Sequence, residues 1–188
     1  MNKIAIFASG TGTNAENIIS YFSGSKIAKV ALILSNKKES LVIKKAEKLS
    51  VESFIFSPTE LRETTKVDQL LEDNEIDILV LAGFLLLMPP RLVEKYRGRI
   101  INIHPSLLPK FGGKGMYGDA VHKAVIEVGE KESGITIHHV NEKFDSGAII
   151  FQAKCLVDKN DTAHTLALKV RELEMEHFPR IIERELGG

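Results

Sequence analysis

Three side chains of this sequence could do chemistry together. Asn102 and His104 stand two residues apart in "RIINIH" (99–104), and Asp145 stands in "KFDSGAII" (143–150). Residues i and i+2 of an extended strand share a face, so Asn102 and His104 point one way and Ile101 and Ile103 the other. An amide beside an imidazole suits attack on a carbonyl carbon. The amide holds the developing oxyanion, and the imidazole moves a proton near neutral pH. A third group should orient and tune the imidazole. Asp145, just before a strand, is the candidate, and its charge should favour a protonated His104. No serine sits in a G-x-S-x-G elbow, and the only cysteine, Cys155, lies in the apolar run "IIFQAKCLV" (149–157) and reads as an inert thiol. The nucleophile is therefore expected to belong to the substrate, for instance an amine. For Asn-x-His taken alone, the alternative is a hydrogen-bonded pair that ends a strand.

A second candidate is the loop "SGTGTN" (9–14). Glycines let a backbone turn tightly, and the helix N-terminus that follows offers free N–H groups and partial positive charge to an anion. Thr11, Thr13 and Asn14 offer further donors. The Gly-Lys-Ser/Thr ending of a P-loop is missing, and Ala15 replaces the third glycine of a dinucleotide fingerprint. The loop is thus expected to take a monophosphate; a plain strand-to-helix turn is the alternative. His138–His139 form another cluster, with His138 the better placed to face the site. His122, His164 and His177 fall on predicted helices and read as surface or packing residues. Metal-ligand spacing is poor throughout, without H-E-x-x-H or C-x-x-C, so no metal is expected.

The elements that must position these groups are legible. Apolar runs at 3–9, 29–35, 53–56, 77–83 and 99–104 read as strands, and helical spacing marks 14–22, 40–49 (capped by Ser40), 66–74 and 90–96 (started by Pro90). Alternation of this kind predicts a parallel sheet with helices on both faces. The runs at 134–140 and 147–157 have a short connection and should add antiparallel strands. A long C-terminal helix is expected after Asp161 or Thr162, with a bend at Pro179. The predicted class is α/β: a Rossmann-like, doubly wound, mostly parallel sheet with antiparallel C-terminal strands. Sites in open sheets lie beyond the carboxyl ends of the strands, where the loops after Ser9, Gly83 and His104 sit.

At 188 residues, with 44% apolar and 27% charged residues, the chain has the bulk of one soluble domain. Its formal net charge of zero gives no sign of nucleic acid or an anionic membrane as partner. A single cysteine fits a reducing cytoplasm, and the N-terminus carries no signal-like or membrane-spanning run. No linker-like stretch divides residues 1–188.

Four segments, "SGTGTN", "VLAGFLLLMP", "INIHPSLLPKFGG" and "FDSGAII", stand in the order and spacing of the phosphoribosylglycinamide formyltransferase family, and the resemblance covers nearly the whole chain. It implies a single formyltransferase domain over 1–188. The implied reaction moves the formyl group of 10-formyltetrahydrofolate, a co-substrate, to the amine of glycinamide ribonucleotide in purine synthesis. It implies Asn102, His104 and Asp145 as the catalytic trio. Gly12, Thr13 and Asn14 would bind the phosphate, Glu174 the ribose hydroxyls, and Arg171 would lie near the phosphate. Leu85, Leu86, Leu87 and Met88 would line the pterin pocket with Asn102, and Arg62 matches a folate-contacting arginine. The resemblance also implies a cis Leu108–Pro109 bond. Leu86 stands where some members carry arginine. The segment "GGKGMYGDAVH" (112–122) is longer than in some members, which commonly carry histidine near Asp119. A formyltetrahydrofolate hydrolase and a non-catalytic phosphate-binding module are the alternatives.

Overall fold

The computed structural model describes residues 1–187. Along the chain run β1 (Asn2–Phe7), α1 (Thr13–Tyr21), β2 (Ala28–Ser35), α2 (Leu41–Lys48), β3 (Glu52–Ile55), α3 (Pro58–Glu63) and α4 (Lys66–Asp73). There follow β4 (Ile78–Leu81), α5 (Pro90–Lys95), β5 (Ile100–His104), α6 (Asp119–Val128), β6 (Glu132–His139), β7 (Ile149–Leu156) and α7 (Ala163–Glu185). The strands form one sheet in the order β3-β2-β1-β4-β5-β6-β7. β1 to β5 are parallel, and β6 and β7 are added antiparallel, as the sequence predicts.

Strict alternation along the central strands builds two cores. Ile4 and Ile6 of β1 join a cluster with Ile18 of α1, Val42 of α2 and Val170 and Phe178 of α7. Ala5 and Phe7 face the opposite way, toward Leu61 of α3, Leu71 of α4 and Leu92 of α5. A sheet covered on both sides makes each strand read as a continuous apolar run. β5 follows the same rule: Ile101 and Ile103 enter the first core, while Ile100 enters the second. Asn102 and His104 continue the Ile100 face beyond it, at the carboxyl end of the strand.

The long C-terminal helix contains a proline yet runs unbroken from Ala163 to Glu185. Pro179 has no N–H to give the carbonyl of Met175 four residues back. Asn17 of α1 supplies the missing donor, its Nδ2 reaching Met175 O at 2.8 Å. Thr162 is the N-cap, accepting from Thr165 N at 3.2 Å, and Asp161 accepts from Thr165 Oγ1 at 2.8 Å. Ser40 precedes α2 as expected, but its hydroxyl donates to Lys37 O at 2.8 Å instead of capping the helix. The helices α3 and α6 have no counterpart among the segments that spacing alone marks out. α3 is one short turn closed by a Ser57–Glu60 capping box, too short to show a period. No helix among the described residues is long and apolar enough to cross a membrane.

Candidate active site

The carboxyl ends of β1, β4 and β5 open into one cavity of about 860 Å³. Ser9, just past β1, fastens this end of the sheet. Its hydroxyl donates to Asn36 Oδ1 at 2.6 Å and accepts from Leu85 N at 3.1 Å, and its N–H donates to Gly83 O at 3.1 Å. Three strand-end loops are thereby fixed relative to one another.

Asn102, His104 and Asp145 meet in this cavity. Asp145 Oδ2 lies 3.5 Å from His104 Nδ1, and the two side chains are 11% and 5% exposed. The other ring nitrogen, Nε2, donates to Phe111 O at 2.8 Å. Phe111 holds φ at +55°, a region that bulky residues avoid, and that backbone turn presents its carbonyl to His104. Asp145 is also left-handed, with φ at +50°, and accepts from Gly113 N at 2.9 Å. Gly112 lies between these two loops: a Cβ there would come within 2.4 Å of Leu108 Cδ2 and 3.3 Å of Asp145 Cβ. The Leu108–Pro109 bond in the same loop is cis.

His138 completes the cluster. Its Nδ1 donates to His139 O at 2.8 Å, so Nε2 carries the lone pair and accepts from Asn102 Nδ2 at 3.0 Å. The second amide hydrogen of Asn102 leans toward Asp145 Oδ1 at 3.5 Å, the outer limit of a hydrogen bond. That hydrogen is loosely held and can pass to a ligand oxygen.

The charge state differs from the sequence expectation. Burial pulls the His104 pKa below its ordinary 6.5, and this outweighs the opposing pull of the Asp145 charge and the Phe111 carbonyl. The resting imidazole is therefore neutral near pH 7, where a protonated one was expected. Burial also works to raise the pKa of Asp145, but the two imidazoles beside it, His138 and His104, and the Gly113 N–H together hold it below the usual carboxylate value. Cys155 is a half-buried thiol whose pKa burial raises, consistent with an inert group.

The glycine loop forms the opposite wall. Gly12 caps α1 with φ at +71°, and a Cβ would lie 2.6 Å from Val42 Cγ2 and 2.8 Å from Val42 Cα, so only glycine fits. Thr13 and Asn14 begin α1 and leave first-turn N–H groups free for an anion. The Asn14 side chain is partly committed within the protein. Its Nδ2 donates to Glu174 Oε2 at 3.0 Å, while its Oδ1 is buried with no partner. Burial raises the Glu174 pKa against that hydrogen bond and the nearby Arg171 charge. Arg171 and Glu174, one turn apart on α7, both line the cavity, as does Lys37 after β2.

Leu85, Leu86 and Leu87 line the third side, together with Arg62 from α3. Arg91 of α5 holds the Arg62 segment in place, donating to Arg62 O at 3.0 Å, Leu61 O at 2.6 Å and Thr64 O at 2.7 Å. Met88 departs from expectation: it is 1% exposed and packs in the second core with Leu92 and Phe7, away from the cavity wall. The apolar run passes from loop to core between Leu87 and Met88. His122 departs in the other direction. It was expected at the surface or in packing, but it lines the cavity, with Nδ1 buried and unpartnered. Polar residues on a helix carry no period that marks one of them for a site, so the sequence holds no signal for it.

A family model described as "Formyl transferase" matches residues 2–182. The phosphoribosylglycinamide formyltransferase of Bacillus subtilis (strain 168) is 36% identical over 192 aligned residues, spanning 100% of this chain and 96% of the relative. That of Haemophilus influenzae is 35% identical, spanning 97% and 86%. The crystal structure of phosphoribosylglycinamide formyltransferase from Bacillus halodurans superposes with a TM-score of 0.88 at 34% identity, covering 98% of this chain and 95% of the other.

Proposed function

The chain belongs to the formyl transferase family, and from that premise we propose that it transfers the formyl group of 10-formyltetrahydrofolate to the amine of glycinamide ribonucleotide in purine synthesis. The observation that carries the reading is the convergence of Asn102, His104 and Asp145 opposite a glycine-capped helix start, in one cavity of about 860 Å³. That volume is within the range of small-molecule sites and generous enough for two substrates to meet. The helix start suits the phosphate, Glu174 the ribose hydroxyls, and the Leu85–Leu87 wall with Arg62 the folate.

The amine attacks the formyl carbon, and its lone pair becomes the new C–N bond. Negative charge collects on the former carbonyl oxygen, where the loosely held Asn102 hydrogen meets it. A neutral His104 is suited to accept the proton that the attacking amine sheds. Nε2 is engaged by Phe111 O, so the exchanging nitrogen is Nδ1, on the side of Asp145. The imidazolium so formed lies between the carboxylate and the oxyanion, which both favour it. Collapse of the tetrahedral centre breaks the bond to the folate nitrogen, which takes the proton back from His104 or through water. Asp145 thus acts after protonation, by stabilising the charged ring, and burial keeps the ring neutral before it.

Mixing the protein with both substrates and following deformylated folate by absorbance tests this reading. Turnover that depends on glycinamide ribonucleotide is expected. Folate turnover without the ribonucleotide would identify a hydrolase, and no turnover would identify a non-catalytic module.

A further inference from the structure

His122 lies one turn into α6 and is 5% exposed. Its neighbours on the helix, Val121 and Val125, are buried apolar residues that fix α6 in place. No protein group completes the buried Nδ1 of His122. Buried polar atoms are nearly always paired, and this one belongs to a side chain that lines the main cavity. It is not part of the trio, the phosphate loop or the Leu85–Leu87 wall.

From this geometry we infer that His122 is a further substrate-binding residue, its Nδ1 accepting a hydrogen bond from the amide N–H of the glycinamide arm. The inference rests on the reading of the cavity as a site for glycinamide ribonucleotide. His104, Arg171 of α7 and His122 line the same cavity, with Asp119 one turn back from His122 on its own helix. A substrate whose amine reaches His104 and whose phosphate end lies toward Arg171 carries its amide link through the cavity that His122 lines. Burial holds the His122 pKa below 6.5, so the ring is neutral and has a lone pair to offer. A phosphate has no N–H to give it, the ribose hydroxyls already face Glu174, and the folate wall lies on a different strand-end loop. The amide N–H is the remaining donor.

Calorimetry with glycinamide ribonucleotide and, separately, tetrahydrofolate tests the assignment on wild type, His122→Leu and His122→Asn. The Asn variant keeps a polar group near the Nδ1 position. His122→Leu is expected to weaken ribonucleotide binding roughly tenfold, the worth of one hydrogen bond, and to leave tetrahydrofolate within about twofold. His122→Asn is expected to recover most of the loss. An unchanged ribonucleotide affinity in His122→Leu, or equal loss for both ligands, overturns the inference. Should the Leu variant fail to fold, the 15N resonance of His122 Nδ1 in the wild-type enzyme decides the matter. It is expected to move on addition of the ribonucleotide, and a stationary resonance overturns the assignment. A wild type that binds no ribonucleotide at all sinks the functional reading itself. That outcome is distinct from a wild type that binds it while His122 stays inert.

Discussion

The Nδ1 atom of His104 lies 3.5 Å from Oδ2 of Asp145, and both groups are nearly shut off from water. At that separation and burial the carboxylate opposes the loss of charge that burial imposes on the imidazole. The pair therefore holds an imidazole that is neutral at rest and readily charged when a second anion develops beside it.

Asp145→Asn should give a folded protein with turnover reduced on the order of a hundredfold or more, the lower range for acid–base catalysis. The amide keeps the size and can still accept from Gly113 N, but it loses the charge. NMR titration should show the His104 pKa falling further, because the one carboxylate that raises it has gone. Near-normal turnover, or an unchanged His104 titration, would mean that Asp145 is not the partner of His104.

The depressed pKa of His104 and that of His122, both caused first by burial, fix the sign of a pH effect. The unfolded chain binds protons at these residues near pH 6.5 and the native protein only at lower pH. Their contribution to stability is fully present above about 6.5 and is lost as pH falls from there toward the native values. Glu174 works the other way, since its raised native pKa favours the fold at low pH and loses that contribution as pH rises above about 4.5. Melting temperature should therefore fall between pH 7.5 and 5.5, and His104→Asn should flatten the slope. A steeper slope in that variant would contradict the assignment. In the same range kcat/KM should rise with pH as His104 deprotonates.

Gly12→Ala should be costly twice over. The φ of +71° is left-handed, and the added methyl meets Val42 at 2.6 Å. Stability should drop by about 1–2 kcal/mol, and ribonucleotide affinity by tenfold or more, with tetrahydrofolate affinity nearly intact. Thermal melting and calorimetry read the two effects. Equal loss for both ligands would make the loop a structural turn only.

Asn17→Ala should cost about 1–3 kcal/mol, because it strands the Met175 carbonyl that Pro179 cannot serve. In a Pro179→Ala background the helix supplies its own N–H, and the Asn17 substitution should cost less than half as much. Chemical denaturation of the four proteins of this cycle gives the coupling directly. Additive costs would show that Asn17 does not act on the proline gap.

Much of the site was legible because its signals are local. Asn102 and His104 follow from the two-residue period of a strand, and the Gly12 turn follows from glycines between a strand and a helix. The parallel character of the sheet was legible for the same reason, since apolar runs and helical spacing alternate along the first hundred residues. What escaped depends on three-dimensional neighbours. The resting charge of His104 comes from burial, which outweighs the Asp145 charge and the Phe111 carbonyl, and a sequence displays none of that balance. Met88 and Leu87 are adjacent and alike in type, yet only the path of the backbone puts one in the core and the other in the cavity. The hydrogen bond from Asn14 to Glu174 joins residues far apart along the chain, and α3 is too short to carry a period.

The central claim is that the formyl carbon passes directly from folate to the ribonucleotide amine. It is tested most directly with 10-formyltetrahydrofolate carrying 13C in the formyl group, mixed with the enzyme and glycinamide ribonucleotide and followed by 13C NMR. The label is expected to leave the folate only when the ribonucleotide is present and to appear as a formamide carbon on its former amine. Label released as free formate, or label that stays on the folate with both substrates present, would contradict the account.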